Sequence, residues 1–408
     1  MIGLMGAVDR SIISVIIEPL KAEFHLTDKQ IGLLTGLAYS GSFALAVLPM
    51  GWLVDRVNRR ALLSVTVTIW SVLTAACGAT TNFATMFAAR MGVGASDAPM
   101  MPASLSLIAD TFPSRQRNTA VGIFLAGAGV GVILQFLVGA WLIAHFGWRA
   151  VFLAAGGPGV LLAALLYFTT REPVRGAFDA EPSDPHVAAQ NAPGVIEVLR
   201  SIIGNNALCF AIPAVTITMG VTYSLVIWTT SFLVRVHGMT ISEAATWMAV
   251  GFGLCMTVGS LIAGPVADRF SQGDPRKLTL VPATATFVAA IAGTVLTMAT
   301  ALPVALTGLA VVGLMAGFYL GPGYTMILLL AAPNERGTTM ATTKLISTLL
   351  GSGAITFMTG AISDAVGGAD SIRPALWSNA ALLLASTFCF VTVYRILGQR
   401  NGDQVITA

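Results

Sequence analysis

Charge is what this chain has least of. Only 10% of its 408 residues are Asp, Glu, Lys or Arg, while 55% are hydrophobic. A soluble domain carries about a quarter charged residues, so the composition describes an integral membrane protein. Cysteine is also scarce: Cys77, Cys209, Cys255 and Cys389 all lie inside apolar stretches. They have neither metal-ligand spacing nor a disulfide framework, and read as small buried thiols. His25, His145, His186 and His237 fall in loops or at span ends and form no metal pair. There is no Gly-x-x-x-x-Gly-Lys-Ser/Thr run to cradle a nucleotide and no Ser/His/Asp set to suggest a hydrolase. The reading is therefore not an enzyme, with no cofactor and no metal. The net charge of +3 sits in short loops, which argues against a nucleic-acid partner.

What is present is apolar length. A spanning helix needs about 20 mostly apolar residues, and the sequence offers twelve such runs: 1–20, 30–53, 61–80, 83–110, 118–144, 148–170, 205–234, 242–267, 278–300, 303–331, 338–362 and 374–396. The first lacks a basic n-region and a small-residue cleavage site and carries Asp9-Arg10 in its middle, so it reads as a span rather than a signal peptide. Arg171 to Asn205 is the long polar break. Its centre is Pro-rich and acidic, and Val195, Val198, Leu199 and Ile202 follow at helical period, predicting an amphipathic helix on the membrane. The expected organisation is an all-α membrane protein of twelve transmembrane helices in two pseudo-symmetric six-helix bundles. They occupy residues 1–170 and 205–396, joined by a linker at 171–204 and followed by a tail at 397–408.

The stretch Gly51-Trp-Leu-Val-Asp55-Arg56-Val-Asn-Arg59-Arg60 joins two spans through a tight basic turn. It returns 213 residues later, with Gly51, Asp55 and Arg56 recurring as Gly264, Asp268 and Arg269. Thr27 and Gln30 fall opposite Thr240 and Glu243 at the same offset, and Arg59-Arg60 reappears as Arg276-Lys277 after a short insertion. A parallel duplication of membrane helices marks a class of transporters. Loops after even-numbered spans, with the C-terminus, hold fourteen basic residues against five on the other side. That bias places both termini and the linker in the cytoplasm. Glycine reaches 42 residues and clusters at small-xxx-small spacing, as at Gly127 with Gly131 and in the run Gly251 to Gly259. Pro99, Pro102, Pro158, Pro213 and Pro322 fall within spans and are expected to bend them.

The signature, its repeat and the six-plus-six layout resemble the major facilitator superfamily over the whole chain. Asp9-Arg10, Gly51-Trp52 with Asp55-Arg56, the run Ile108-Ala-Asp110-Thr-Phe-Pro113 with Arg117, and Arg171-Glu172-Pro173-Val-Arg175-Gly176 resemble its Spinster-like branch. That resemblance implies export of lysolipids or sphingosine phosphate with proposed proton coupling. The neighbouring anion:cation symporter branch shares several patterns and carries sugar acids and other organic anions. One departure stands out: where the branch has a glutamate after the Gly-x-Gly of span four, this chain reads Gly92-Val-Gly94-Ala-Ser-Asp97. The carboxylate is kept but shortened and displaced. Span five lacks the Gly-Pro pair of drug:proton antiporters.

An ionised side chain at the bilayer centre costs about 2.5–3.5 kcal/mol, so it must face protein or water. Asp9 and Arg10 in span one and Arg90 and Asp97 in span four are the candidates. Arg90 and Asp97 share one helix face about 10 Å apart along the axis, which suits pairing across to another helix. Arg90, with Arg10, is expected to hold an anionic head group, while Asp9 and Asp97 change protonation. The bland alternative is a static buried salt bridge. In the second half Tyr223, Trp228, Tyr319 and Tyr324, with Thr229, are expected to line an apolar wall for an acyl chain, or to serve as ordinary interface residues. Gly51, Asp55, Arg56, Arg59, Arg60, Arg115, Arg117, Asp268, Arg269, Arg336 and Lys344 form the expected cytoplasmic gate. In that gate Asp55 caps span eleven near Gly337, and Lys344 has a snorkelling or gating role. The expectation is a monomeric, proton-coupled transporter in a bacterial inner membrane. Its partners are membrane lipids, protons and a small amphiphilic or organic-anion substrate.

Overall fold

In hydrocarbon the backbone of an apolar run must satisfy itself, and a helix does so within one segment. The computed structural model describes residues 1–174, 195–272, 274–332, 335–368 and 370–406, and among them no strand occurs. The helices are α1 (Ile2–Ser11, continuing as Ile13–Phe24), α2 (Asp28–Gly32, a π-helical stretch Leu33–Ala38, then Tyr39–Arg56), α3 (Arg59–Cys77), α4 (Phe83–Asp97 and Met100–Thr111), α5 (Ser114–Phe146) and α6 (Trp148–Thr169). After the linker come the short α7 (Val195–Gly204) and α8 (Asn206–His237). Next is α9, formed by Ile241–Trp247, a π-helical stretch Met248–Leu254 and Cys255–Ser271. They are followed by α10 (Leu280–Met298), α11 (Leu302–Leu330), α12 (Arg336–Ile346, a π-helical stretch Ser347–Ile355, Thr356–Val366) and α13 (Ile372–Ile406).

Among the described residues, ten helices are long and apolar enough to cross a membrane. The first and fourth of the twelve expected runs fall outside that count, because each is interrupted and each carries buried charge. Span four, expected as one helix over 83–110, breaks at Ala98 and Pro99. Pro99 and Pro102 remove two backbone donors within one turn there. Pro158, Pro213 and Pro322 instead lie inside continuous helices.

The chain divides into two units, Met1–Asp184 with Met239–Ala249, and Pro185–Gly238 with Val250–Ala408. Inside the first, α1 packs on α5, α2 and α3 on α4, α3 on α6, and α5 on α6. Inside the second, the same scheme recurs seven labels on: α8 with α12, α9 and α10 with α11, α10 with α13, α12 with α13. Local devices repeat too. Thr27 with Gln30 and Thr240 with Glu243 each form a capping box, two orphan N–H groups being satisfied reciprocally. The preceding helices end in left-handed residues at the same offset, His25 (φ 52°) and Gly238 (φ 65°). Arg149 and Arg373 each donate to a carbonyl at the C-terminal end of the third helix of their unit, Thr80 O at 3.2 Å and Thr297 O at 2.6 Å.

Each unit buries its own core. Tyr39, Val67, Trp70, Val93, Met100 and Ala163 pack together in the first. Leu208, Ile212, Val215, Ile327, Phe390 and Val393 form part of a larger cluster in the second. Gly131 shows why small residues were needed: a Cβ there would strike the Leu4 carbonyl, so α1 and α5 touch through their backbones.

Candidate functional site

The four intramembrane charges meet in the first unit. Asp9 and Arg10 come from α1, Arg90 and Asp97 from the first part of α4, and each α1 residue takes a different α4 partner. Arg90 Nη1 lies 3.5 Å from Asp9 Oδ2 and 3.3 Å from the Asp9 carbonyl. Arg10 Nη1 lies 3.9 Å from Asp97 Oδ2, while its Nε donates to Gly6 O at 3.0 Å. Consecutive residues on α1 face about 100° apart, which is why Asp9 and Arg10 reach partners nearly two turns apart on α4.

The two pairs differ in their access to open space. Arg90 is 0% exposed and Asp9 2%, and Thr74 of α3 donates to Asp9 Oδ1 at 2.6 Å. Asp97 is also buried, with Oδ1 lacking a hydrogen-bond partner. The Arg10 side chain, however, keeps 31% of its surface open. Tyr39 of α2 donates to Asp97 Oδ2 and holds its ring 5.8 Å from the Arg90 guanidinium. Thr74 and Tyr39 were absent from the sequence reading. A lone Tyr or Thr in an apolar span gives little signal, and only the nearby unpaired charges hinted at such neighbours.

In the second unit, hydroxyls join the helices. Thr216 meets Ser347 at 3.0 Å, Thr218 meets Ser386 at 2.9 Å, and Ser224 meets Thr359 at 2.9 Å and Asn379 Nδ2 at 3.1 Å. Tyr319 is buried and its hydroxyl pairs with that of Thr222. Tyr324 directs its hydroxyl to Met219 Sδ at 3.3 Å, and Tyr223 is half-buried. Trp228 is fully buried and donates to Thr356 O at 3.1 Å, tying α8 to α12. Thr229 is buried with its hydroxyl lacking a hydrogen-bond partner. A separate apolar groove of about 470 Å³ opens in this unit, lined by Leu199 and Ile202 of α7, Ile212 and Ile217 of α8, Leu350 of α12 and Leu382 of α13.

Among the expected gate residues, those described in each unit have their own surroundings. Arg59 is 1% exposed and ion-paired with Asp110 and, at 2.8 Å, with Glu172; it also donates to Ser106 Oγ at 2.6 Å. The Arg60 backbone N–H donates to Glu172 Oε2 at 2.9 Å, and its guanidinium stacks 4.6 Å from the Tyr167 ring. Burial pushes the Glu172 carboxyl up, but the Arg60 N–H and the Arg59 guanidinium outweigh it and hold the group below the usual carboxylate range. Arg56 lies 4.1 Å over Trp52, and Gly51 is half-buried. Asp268, Arg269 and Arg336 are exposed, and Lys344 is half-buried. The side chains of Asp55, Arg115 and Arg117 lie outside the described residues. Asp110 and Glu172, quoted only as parts of motifs, are thus the acidic partners that sequence spacing did not assign.

A sequence profile of the Major Facilitator Superfamily matches residues 1–246 and 241–404, which is nearly the whole chain. The chain belongs to that superfamily. Its matched relatives and structural neighbours are transporters, so this superfamily member is a membrane transporter and not an enzyme. It is 26% identical to an MFS-type efflux pump of Mycolicibacterium smegmatis, over 96% of this chain and 90% of that protein. A crystal structure of a bacterial homologue of the human lysosomal transporter Spinster, inward-facing and unoccupied, superposes with a TM-score of 0.87 at 26% identity, covering 98% of this chain and 96% of that one. A probable galactarate/D-glucarate transporter of Bacillus subtilis is 27% identical over 64% of this chain and 61% of its own length. Likeness to Spinster proteins therefore extends over the whole fold.

Proposed function

We propose that this superfamily member is a proton-coupled secondary transporter working by alternating access, with an anionic amphiphile such as a lysolipid or sphingosine phosphate as its cargo. One observation carries the coupling: Arg10 is partly open beside a buried Asp97, while Arg90 and Asp9 are sealed together. A guanidinium that leaves a buried carboxylate for a substrate anion strips that carboxylate of its cation and favours a proton there. Its return expels the proton. Substrate anion and Asp97 carboxylate thus compete for one arginine, Asp9 and Asp97 being the groups that exchange protons and Arg10 the first contact for the head group. Arg90 then orders the site from behind, a different emphasis from the sequence expectation.

The amphiphile is favoured by the apolar groove at α7, α8 and α12, whose lining suits an acyl chain, and by the full-length likeness to a Spinster homologue. The second reading, a symporter of small organic anions such as sugar acids, rests on the Bacillus relative, which matches under two thirds of either chain. In both, Arg59, Asp110 and Glu172 brace one half of a cytoplasmic latch. The protein sits as a monomer in a bacterial inner membrane, with both termini inside.

Purified protein in proteoliposomes, offered oleoyl lysophosphatidylglycerol or glucarate with and without a pH gradient, separates these readings. The expected result is lysolipid movement accelerated by the gradient and lost in Arg10→Ala. Gradient-driven glucarate uptake alone selects the organic-anion reading. Movement of either that ignores the gradient removes the coupling.

A further inference from the structure

Tyr39 touches both ion pairs. Its hydroxyl donates to Asp97 Oδ2, the oxygen that also faces Arg10, and its ring lies 5.8 Å from Arg90, which is bound to Asp9. Two features of the chain put it there. The π-helical stretch Leu33–Ala38 ends immediately before Tyr39. One extra residue in a turn rotates all that follows by about 100°, and this stretch therefore decides which neighbour Tyr39 meets. Gly94 of α4 then allows contact: a Cβ there would strike the Tyr39 carbonyl and the Ser42 hydroxyl. Tyr39 is buried among Val67, Trp70, Val93 and Met100, a packed setting that fixes its ring.

We propose that Tyr39 is the positioning residue that makes the two ion pairs a single switch, sharing Asp97 Oδ2 with Arg10 and easing the bare carboxylate between the departure of Arg10 for the substrate anion and the arrival of the proton. This deepens the coupling reading above and rests on it. The physical need is plain. When Arg10 departs, Asp97 has only 5% of its surface exposed for water to solvate its charge, and an unpaired buried charge is costly. An O–H donor aimed at the same oxygen that Arg10 vacates compensates part of that cost. Once Asp97 is protonated, it has a proton of its own to donate. The Tyr39 hydroxyl must then reorient, and its ring is the surface on which Arg90 rests. The hydroxyl and the π face belong to one side chain, so a displacement of Tyr39 from Asp97 also alters its contact with Arg90. The charged and titratable groups around Asp97 are Arg10 and Asp9 from α1, Tyr39 from α2, and Arg90 from its own helix, with Cys77 of α3 standing against Arg90 and Asp9. Tyr39 joins them with a hydroxyl at one end and a π face at the other.

The test uses the full-length protein and needs no known substrate. The protonated-carboxyl C=O stretch is followed by infrared titration in wild type, Tyr39→Phe and Asp97→Asn, the last identifying which band belongs to Asp97. Tyr39→Phe keeps the ring and the packing, and its melting temperature is expected to stay near wild type. The Asp97 band is expected to titrate about one pH unit higher in Tyr39→Phe, the size expected for losing one hydrogen bond to a charged group. Gly94→Ala, which pushes α2 off α4, is expected to move it the same way. A band that titrates at the same pH in wild type and Tyr39→Phe overturns the proposal, whatever transport assays give. Gradient-driven lysolipid movement that survives Asp97→Asn overturns the coupling reading itself, and with it the role given to Tyr39.

Discussion

The two units share a packing scheme but hold their helices together by different chemistry. In the first, α1 and α4 meet through two ion pairs, and Arg59 reaches across to Asp110 and Glu172. In the second, α8 meets α12 and α13 through hydroxyl pairs, and Arg276 is held by Asp274 only two residues away, at 2.8 Å. Charges buried in a membrane bundle are a poor means of holding helices together, because taking them out of water offsets much of their attraction. Hydroxyl pairs do that work at less risk. On the proposed coupling, the unit that keeps the costly arrangement is the one whose groups change state, while the hydroxyl unit is the steadier of the two.

Three measurements sharpen or break that contrast. The largest effect is expected from Arg90→Ala, which leaves the sealed Asp9 without its cation. Transport should fall by at least about 100-fold and stability by about 3–5 kcal/mol. Adding Asp9→Asn should recover much of the melting temperature without recovering gradient-driven transport; recovery of both would make the pair merely structural.

A smaller effect is expected at the Arg59 cluster, and it depends on pH. Glu172 is held below its ordinary value of 4.5. Its contribution is therefore complete above the unfolded value and disappears as pH falls through the lower folded one. Glu172→Gln should lower the melting temperature at pH 7 and bring little change at pH 3. An equal loss at both pH values would show that the carboxylate charge is not what matters. Arg276→Ala, the counterpart in the second unit, breaks a local pair between residues two apart and should lower the melting temperature less than Glu172→Gln does at pH 7.

The smallest effect is expected within the second unit. Ser224→Ala removes one member of the Ser224–Thr359–Asn379 cluster and should cost about 0.6 kcal/mol, typical of hydrogen bonds between membrane helices. Transport should change less than threefold. A loss as large as that of Arg90→Ala would mean that the hydroxyl wall also changes state, and the division of labour between the units would fail.

The helices were legible because apolar length is all that a bilayer demands, and the duplicated signature at Gly51 and Gly264 gave the two bundles. The pairing of charges was legible as far as the helix: a seven-residue offset from Arg90 to Asp97 required partners elsewhere. Which of the two arginines stays open was not, since burial depends on how α1 is rotated. Tyr39 escaped notice because the π-helical stretch before it breaks the 3.6-residue count on which facing arguments rely. Arg59 lies 51 and 113 residues from its acidic partners, distances about which local pattern says nothing. The hydroxyl pairs escaped for another reason: in membrane helices Ser and Thr so often bond their own backbone, as Thr222 does to Thr218 O at 2.8 Å, that their presence predicts no neighbour.

The π-helical stretches also carry a history. Such a turn holds one residue more than an α turn, the mark of a single inserted residue. Leu33–Ala38 and Met248–Leu254 sit just beyond matching capping boxes, so the π turn is part of the repeated unit itself. Ser347–Ile355 has no such counterpart in α5, which runs as one α-helix from Ser114 to Phe146. At that third place the two halves, otherwise built on one scheme, part company.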